Sequence, residues 1–229
     1  MTTFLIDFAI IGIVVFCGWR GYKNGLIRGV FGVVALVVSI FVASFAATAY
    51  SEEFVGILTP FVGGIVDTTL TEMAEQNVEY EFVEHENDSA RFRTAYTALR
   101  KIGMPEASAI RLAEMAADEE SEGFISDLVA EKLSSVLAYV AVFGIAFALL
   151  AIVFAVIGNL VGFVFSLPGL KIVDIISGVV FGLAKGILIV LTIAVVVRYF
   201  GLVAVSTIEE TSILNYFVNN NPIADILGL

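Results

Sequence analysis

Four charged residues stand inside or at the edge of long apolar stretches of this sequence, where their side chains could move ions or bind a charged solute. These residues are Asp7, Asp174, Lys185 and Arg198. Charged side chains within a hydrocarbon layer are costly, and those that occur commonly pair with each other or mark transport pathways. The sequence therefore singles them out as intramembrane charged candidates, provided that the surrounding stretches cross a membrane.

Combinations of side chains typical of catalysis or metal binding do not occur in the sequence. The single histidine, His85, lies in an acidic run, so neither a histidine-based metal cluster nor a Ser-His-Asp triad can be assembled. No Gly-rich phosphate or dinucleotide motif is present. The many carboxylates form charge runs, which are usually solvated surfaces. We therefore expect no enzyme activity, no cofactor and no metal site.

The composition predicts an integral membrane protein. Of 229 residues, 59% are hydrophobic and only 15% are charged, whereas soluble domains contain about 45–50% apolar and about 25% charged residues. Residues 29–50 carry no charge, and as a helix they would extend about 33 Å, enough to cross the hydrocarbon core. Core helices of soluble proteins have a polar face, which this segment lacks. Its expected surroundings are the lipid bilayer.

The net charge of −11 is concentrated in one segment. Residues 51–134 contain 18 of the 23 acidic residues but only 6 of the 12 basic residues. The acidity is therefore a property of this segment and not of the apolar runs that flank it. No basic stripe is present to neutralise phosphates, so nucleic acid is not an expected partner.

Apolar runs divide the chain into four parts. Residues 1–50 are predicted to form a first transmembrane hairpin and residues 135–205 a second, which gives an all-α integral membrane protein with four transmembrane helices. Residues 51–134 are predicted to form an acidic extracytoplasmic loop that contains amphipathic helices. Residues 206–229 are predicted to form a polar extracytoplasmic tail.

The acidic loop contains three stretches with helical periodicity, after an opening in which Pro60 and the Gly-Gly pair that follows it are expected to break helical structure. The stretches are residues 65–77, 90–102 and 105–117, and Pro105 suits the first position of the last one. Such helices would lie on the outer membrane surface, cap the transmembrane bundle or form a water-exposed subdomain. The sequence leaves these alternatives open.

Basic residues near the ends of the apolar runs predict the orientation in the membrane. Arg20, Lys23, Arg28 and Lys171 mark the cytoplasmic edge, and Lys185 lies on the same side. The opposite side has a single basic residue near a boundary. Both termini and the acidic loop are therefore predicted to be extracytoplasmic in a multi-pass protein.

Two short segments of the chain repeat one pattern. Residues 21–30 (GYKNGLIRGV) and 178–187 (GVVFGLAKGI) share Gly-x-x-x-Gly-Leu-x-[Arg/Lys]-Gly-[Val/Ile]. Two predicted helices separate the copies, so the two hairpins would form a parallel repeat. The glycines at spacing four share a helix face, where they would let backbones approach closely, within the chain or between chains. They are Gly21, Gly25, Gly29, Gly178, Gly182 and Gly186.

The repeat also predicts the depth of the charged residues. Aligned on it, Lys185 takes the place of Arg28 at the cytoplasmic edge, and Arg198 lies about 18 Å further along its helix. Asp7 lies about 20 Å from Arg20 by the same rise. Asp7 and Arg198 would then share a depth toward the outer leaflet, as an ion pair or in a common polar cavity. The alternative is that each side chain extends separately to the outer interface.

The first hairpin, with Asp7 followed by residues 21–28, resembles that of the colicin V production protein (CvpA) family. The second is similar to the family's second hairpin in Asp174, Gly178, Gly182, Lys185 and Gly186. The resemblance covers about residues 4–50 and 135–200, and the acidic loop has no counterpart in it. It implies a bacterial inner-membrane protein of four helices, linked to colicin V production or export and to envelope physiology, without a settled molecular activity.

Three functions are compatible with these features. A non-enzymatic scaffold or accessory factor is favoured by the resemblance and by the glycine faces, which suit a homo-oligomer or other membrane proteins as partners. The alternative is a channel or transporter for a small solute or ion, because parallel repeats and intramembrane charges occur in transport proteins. Four helices are few for a pore, so a channel would need an oligomer. A sensor of pH or cations through the acidic loop is the third.

Overall fold

In the computed structural model, the described residues are 2–75, 89–118, 124–164 and 171–229, and nearly all of them are helical. The prediction of an all-α fold is confirmed for this part of the chain. In chain order the helices are α1 (Thr2–Tyr50), α2 (Glu52–Glu75), α3 (Ala90–Ile102), α4 (Glu106–Asp118), α5 (Ile125–Val164), α6 (Lys171–Tyr199), α7 (Val205–Glu210), α8 (Ser212–Asn219) and α9 (Pro222–Leu227).

Helix α1 is interrupted at Gly25, which has a φ of 73° inside an otherwise helical run. Glycine adopts this conformation without the steric cost that other residues pay. Before the interruption, Val14 lies next to Gly186 of α6 and Gly21 lies next to Gly178. Residues 2–24, which we call the first half of α1, therefore run antiparallel to α6.

The residues after the interruption run in the opposite direction along the same helix. Gly29 lies next to Gly178, and Gly32 lies next to Lys185. Residues 26–50, the second half of α1, are therefore parallel to α6, and the chain folds back on itself at Gly25. Both halves share α6 as their neighbour.

Helix α5 packs antiparallel to the second half of α1. The hydroxyls of Ser44 and Tyr139 are 2.9 Å apart, within hydrogen-bond distance. At the other end of the contact, the rings of Phe31 and Phe154 meet edge to face with centroids 6.5 Å apart. Because α5 has 40 residues and would extend about 60 Å, its first turns project beyond the bundle.

Helix α2 continues through Pro60 and the Gly-Gly pair after it, so the prediction that these residues break helical structure is wrong. The buried residues Val62 and Val66 pack into an apolar cluster that includes Val129 of α5. A proline inside a helix costs about 3 kcal/mol or more, whereas each buried valine contributes about 1.5–3 kcal/mol. Packing against the projecting turns of α5 therefore offsets the local preference.

Four helices among the described residues are long and apolar enough to cross a membrane. The segments are Thr3–Tyr50, Glu52–Glu75, Ile125–Asn159 and Asp174–Tyr199. The number agrees with the predicted four, but the membership differs, since the first segment contains both halves of α1. The second segment falls within the predicted extracytoplasmic loop. It qualifies because α2 has no break at Pro60 and keeps an apolar outer face.

Large apolar side chains cover the outward faces of the membrane helices. Phe4, Phe8 and Phe45 are 82%, 75% and 77% exposed. Soluble proteins bury most phenylalanine side chains, and extended exposed apolar surface marks contact with a membrane or a partner. The apolar helices are therefore suited to contact with the lipid bilayer.

Helices α3 and α4 form a cap at one end of the bundle. Phe92 and Leu99 of α3 and Leu112 of α4 belong to the same buried apolar cluster as Ile40 of α1 and Val195 of α6. The core is therefore continuous from the membrane helices into the cap. Of the three arrangements that the sequence left open for these helices, packing against the end of the bundle is the one observed.

Helix α3 begins and ends where the periodicity predicts. The Ser89 hydroxyl accepts a hydrogen bond from the Phe92 N–H at 3.2 Å, and Gly103 ends the helix with a φ of 101°. Both are favoured capping residues. Helix α4 starts at Glu106, so Pro105 precedes the helix instead of occupying its first position.

The last residues of the chain pack back onto α1 and α6 as the short helices α7, α8 and α9, where the sequence predicts a polar tail. Asn221 is buried in this packing. Its side-chain amide donates to the carbonyl oxygen of Leu191 in α6 at 2.9 Å, and its side-chain oxygen accepts from the Ile223 N–H at 3.0 Å. One asparagine therefore both caps α9 and joins it to α6.

We expect Asn221→Ala to destabilise the protein by about 1–3 kcal/mol, because a buried N–H and a carbonyl oxygen each lose a partner. Asn220→Ala is the matched control, since the neighbouring Asn220 is exposed. Thermal unfolding in detergent and protease cleavage of the C-terminal helices measure the effect. Equal melting temperatures for the two variants would contradict this role of Asn221.

Candidate functional site

The first half of α1 and helix α6 cross through glycines. A Cβ atom on Gly21 would lie 2.9 Å from the Cα of Gly182 and would overlap the carbonyl oxygen of Gly178. A Cβ atom on Gly182 would lie 2.5 Å from the carbonyl oxygen of Cys17. Real Cβ atoms essentially never approach other atoms within 3.0 Å. The two backbones are therefore closer than any other residue type would allow.

Other glycines of the predicted series lie at the same crossing. A Cβ atom on Gly186 would lie 2.9 Å from the Cα of Val14. On the second half of α1, a Cβ atom on Gly29 would lie 3.0 Å from the Cβ of Phe181 and 3.7 Å from the Cα of Gly178. The structure thus brings both glycine series together within one chain.

Two further glycines extend this contact although the repeat does not include them. A Cβ atom on Gly18 would lie 2.8 Å from the Cδ2 of Leu183, and one on Gly32 would lie 3.4 Å from the Cδ of Lys185. Each glycine stands three residues from a member of the series, a spacing that also places it on the same helix face. That spacing is the signal by which the sequence could have identified them.

Asp174 holds the point where α1 folds back. Its Oδ1 accepts a hydrogen bond from the Leu26 N–H at 2.7 Å, and a Cβ atom on Gly25 would lie 2.6 Å from the same oxygen. Leu26 is the first residue of the second half of α1, where backbone N–H groups have no partner within the helix. A carboxylate at a helix N-terminus is also favoured by the helix dipole. Asp174 therefore caps this helix through a contact 148 residues away in sequence.

The two copies of the sequence repeat have different backbones. The chain turns at Gly25, whereas α6 continues through Gly182 as an unbroken helix. Lys185 therefore lies inside α6, beside Gly32, whereas Arg28 lies in the first turn after the interruption of α1. The reason is that the chain already reverses between α5 and α6, before the second copy begins.

Three cationic side chains converge on a cavity of about 220 Å³ beside the crossing. Arg20, Arg28 and Lys185 line it together with Cys17 and Asn24, and no acidic residue of the described chain does so. Arg28 and Lys185 are half-buried, and Arg20 is exposed. Within the same described ranges, none of the three cations is in an ion pair. Cys17 and Asn24 are not among the site residues that the sequence predicts.

Lys23, another predicted basic residue of this edge, does not line the cavity. Lys23 is exposed, and its ammonium group lies 3.9 Å from the centroid of the Trp19 ring, a cation–π contact. The side chain of Lys171 lies outside the described part of the structure. Arg20 and Arg28 are thus the predicted edge residues that meet Lys185.

Asp7 and Arg198 do not form the predicted ion pair. The Asp7 carboxylate instead accepts hydrogen bonds from the backbone N–H groups of Ile213 and Leu214, at 3.2 and 3.4 Å. These groups belong to the first turn of α8, which provides unpaired donors and a favourable dipole for a carboxylate. The ion-pair prediction failed because α8 packs against Asp7, a contact between residues far apart in sequence that no local pattern indicates.

Arg198 lies between the end of α6, the cap and the C-terminal helices. It lines cavities together with Glu106 of the cap and Asn219 of α8. Its Nε atom is buried and has no hydrogen-bond partner among the described residues. Asp7 does not line either of these cavities.

Metal-ligating side chains do not cluster in the part of the chain that the structure describes, where no group of three His, Cys, Asp or Glu residues could hold an ion. His85 and most of the acidic run around it lie outside the described residues. The interpretation of this acidic run as a solvated surface therefore stays a prediction.

The comparisons with known proteins identify one family. The family model of the colicin V production protein matches residues 6–75 and 108–222. The match is wider than the resemblance of the two hairpins, because it includes α2, most of α4, α7 and α8. It omits α3 and nearly all of α9. Searches of curated proteins and of solved structures gave no match. With most of its residues matched, and with apolar helices suited to a bilayer, the chain is a membrane protein that belongs to the colicin V production protein family.

Proposed function

We propose that this chain is a non-enzymatic scaffold or accessory protein of the bacterial inner membrane, which supports toxin production or export and envelope physiology. Residues 1–50 and 135–205 would form two hairpins of a parallel repeat. The cap and both termini would lie on the extracytoplasmic side. The family description supports the link to colicin V, and the fold supports the scaffold role.

The observation that carries the scaffold role is the continuous core between bundle and cap. The buried cluster joins residues of α1, α5 and α6 to residues of α3 and α4. A cap packed in this way has a fixed position relative to the membrane helices, because its core side chains cannot leave the cluster without losing about 1.5–3 kcal/mol each. A fixed surface at one end of the bundle suits the docking of other membrane proteins or a second copy of the chain.

The distribution of basic residues supports the proposed orientation. Arg20, Lys23 and Arg28 flank the turn at Gly25, at the end of the bundle opposite to the cap. Basic residues near membrane helices favour the cytoplasmic side. The cap would then face the outside, together with the termini.

An oligomeric channel or transporter is the second candidate, and the cationic cavity is the observation that favours it. Lys185 and Arg28 are half-buried charges in apolar helices, and such charges often mark a solute path. Against this function, the glycine faces are occupied within the chain. They are therefore not free to build contacts between subunits of a pore.

Expression of this chain in a colicin V-producing bacterium that lacks its own family member tests the scaffold role. We expect toxin activity in the medium to recover, and to fall again with Leu99→Ala, which removes a fully buried side chain from the cap and costs about 2–5 kcal/mol. Lys101→Ala, at an exposed position of the same helix, is the control. The amount of protein in the membrane is measured in each case.

Liposome flux measurements with the purified chain distinguish the two candidates. If the chain is a scaffold, the liposomes stay impermeable to ions and small solutes. Two results together would favour the channel function over the scaffold function. One is selective flux that disappears with Lys185→Gln or Arg198→Gln, and the other is toxin export that does not depend on the chain.

A further inference from the structure

The cavity beside the α1–α6 crossing collects positive charge without a matching negative charge. Arg20, Arg28 and Lys185 line it, and the acidic residues of the described chain do not. Asp174, which lies beside Gly25, accepts the Leu26 N–H at 2.7 Å and does not line the cavity. Three like charges around one space repel each other, and the repulsion is strongest where water is partly excluded.

The position of Lys185 makes this arrangement costly in the absence of a bound anion. Its stem packs beside Gly32, about 10 Å along the helix from the turn at Gly25. A half-buried ammonium group at that depth loses part of its hydration, and that loss is normally compensated by a counter-charge. Gly21, Gly29 and Gly182 also line the cavity, so part of its wall is helix backbone.

The lining chemistry selects among anions. Two guanidinium groups and an ammonium group offer many donors, and the Asn24 amide adds a further donor on the same wall. Arginine forks together with a lysine suit the several oxygens of a phosphate group better than the two oxygens of a carboxylate. Basic pockets between transmembrane helices on the cytoplasmic side are a recurring way to bind lipid headgroups.

The apolar part of the lining favours a ligand that also has a hydrophobic portion. Phe16, Phe181 and Ile189 form walls of the cavity, and Phe16 is 55% exposed on the outer surface of α1. The cavity is therefore bordered by charged groups at the turn and by an apolar side chain on the lipid-facing surface. A phospholipid headgroup with its acyl chains beside Phe16 matches both features.

We propose that Arg20, Arg28 and Lys185 form a binding site for a phosphate group, carried by an anionic phospholipid or by a small soluble phosphate. The site does not depend on the scaffold role, because it rests only on the cavity and its charges. When occupied, it would join the first half of α1 to α6 through the ligand at the end of the bundle opposite to the cap.

The experiment uses the full chain in a neutral detergent, with phosphatidylglycerol, phosphatidylcholine and inorganic phosphate as probes. Melting temperature is measured against probe concentration, and native mass spectrometry counts bound lipids. We expect phosphatidylglycerol to raise the melting temperature of the wild type, with one tightly bound lipid per chain. We expect Lys185→Gln and Arg28→Gln to weaken this binding at least tenfold.

Lys23→Gln is the matched control, because Lys23 belongs to the same turn but lies outside the cavity, and it should change the binding less than twofold. Lys185→Arg keeps the charge and should bind within a fewfold of wild type. If Lys185→Gln does not fold, Arg20→Gln at its exposed position provides the same comparison. Competition by inorganic phosphate indicates a soluble phosphate, and binding of phosphatidylglycerol alone indicates a lipid headgroup.

Two results would overturn the proposal. One is equal weakening by Lys23→Gln and Lys185→Gln, which would show general attraction to a basic surface. The other is that neither phosphatidylglycerol nor inorganic phosphate binds the wild type more tightly than phosphatidylcholine does.

Discussion

Replacing Gly21 by alanine is expected to separate α1 from α6 and to destabilise the protein by about 3 kcal/mol or more. The added Cβ atom would lie 2.9 Å from the Cα of Gly182 and would overlap the carbonyl oxygen of Gly178. Overpacking a close-packed site typically costs about 1–3 kcal/mol. We expect the upper end or beyond, because both obstructing atoms belong to helix backbone and cannot rotate away.

The matched control is Gly12→Ala, in the same half of α1, where no atom lies within 4 Å of the added Cβ. Alanine favours a helix by about 1 kcal/mol over glycine, so this variant should be as stable as wild type or more stable. Equilibrium unfolding in mixed micelles with an increasing fraction of denaturing detergent gives the free energy of unfolding of each variant. Similar stabilities for the two variants would show that the crossing is not close-packed.

Gly25→Ala is expected to have the second large effect, because it disturbs the turn in two ways. The backbone at Gly25, with a φ of 73° and a ψ of −176°, lies in a region that is essentially restricted to glycine, and a residue with a Cβ atom pays about 1–3 kcal/mol there. The same Cβ atom would lie 2.6 Å from Asp174 Oδ1. The carboxylate would then have to move away from the Leu26 N–H, which adds the loss of a charge-assisted hydrogen bond of about 1.5–3 kcal/mol.

Two comparisons separate these contributions. Gly201→Ala measures the cost of a positive φ without a steric overlap, since Gly201 has a φ of 59° and open space around it. In the double variant Gly25→Ala with Asp174→Ala the overlap is gone, so its loss of stability should be smaller than the sum of the single losses. Additive losses would mean that Gly25 and Asp174 act independently, contrary to the contact described above.

Both predictions concern one junction, which also forms a wall of the cationic cavity. Gly21, Gly29 and Gly182 line that cavity, so helix backbone at the crossing forms part of its wall. A variant that forces the helices apart should therefore also weaken phosphate binding. This link connects the stability of the bundle to the proposed site.

Some elements follow from local sequence alone. Residues 90–102 show helical periodicity between a serine and a glycine, and α3 has these bounds. The membrane helices follow from long uncharged runs, because no packed protein core of this size would bury so much apolar surface. The family could be named from two short glycine patterns with their flanking charges.

Other elements depend on neighbours that are distant in sequence. Pro60 predicts the end of a helix, yet α2 continues through it because the apolar side chains of α2 are buried against α5. Asp7 is predicted to pair with Arg198, yet its partner is the first turn of α8, 206 residues away. The strength of such contacts depends on which surfaces meet, and no local pattern contains that information.

The sequence by itself determined that the chain is helical, apolar enough for a bilayer and rich in glycine at two matching places. Only the tertiary structure decided that these glycines face each other within one chain, that Asp174 caps the helix after Gly25, and that three cations share one cavity. The physical reason is that periodicity and composition describe the relation of a segment to its solvent. Distances between charges and backbones arise when particular helices pack against each other.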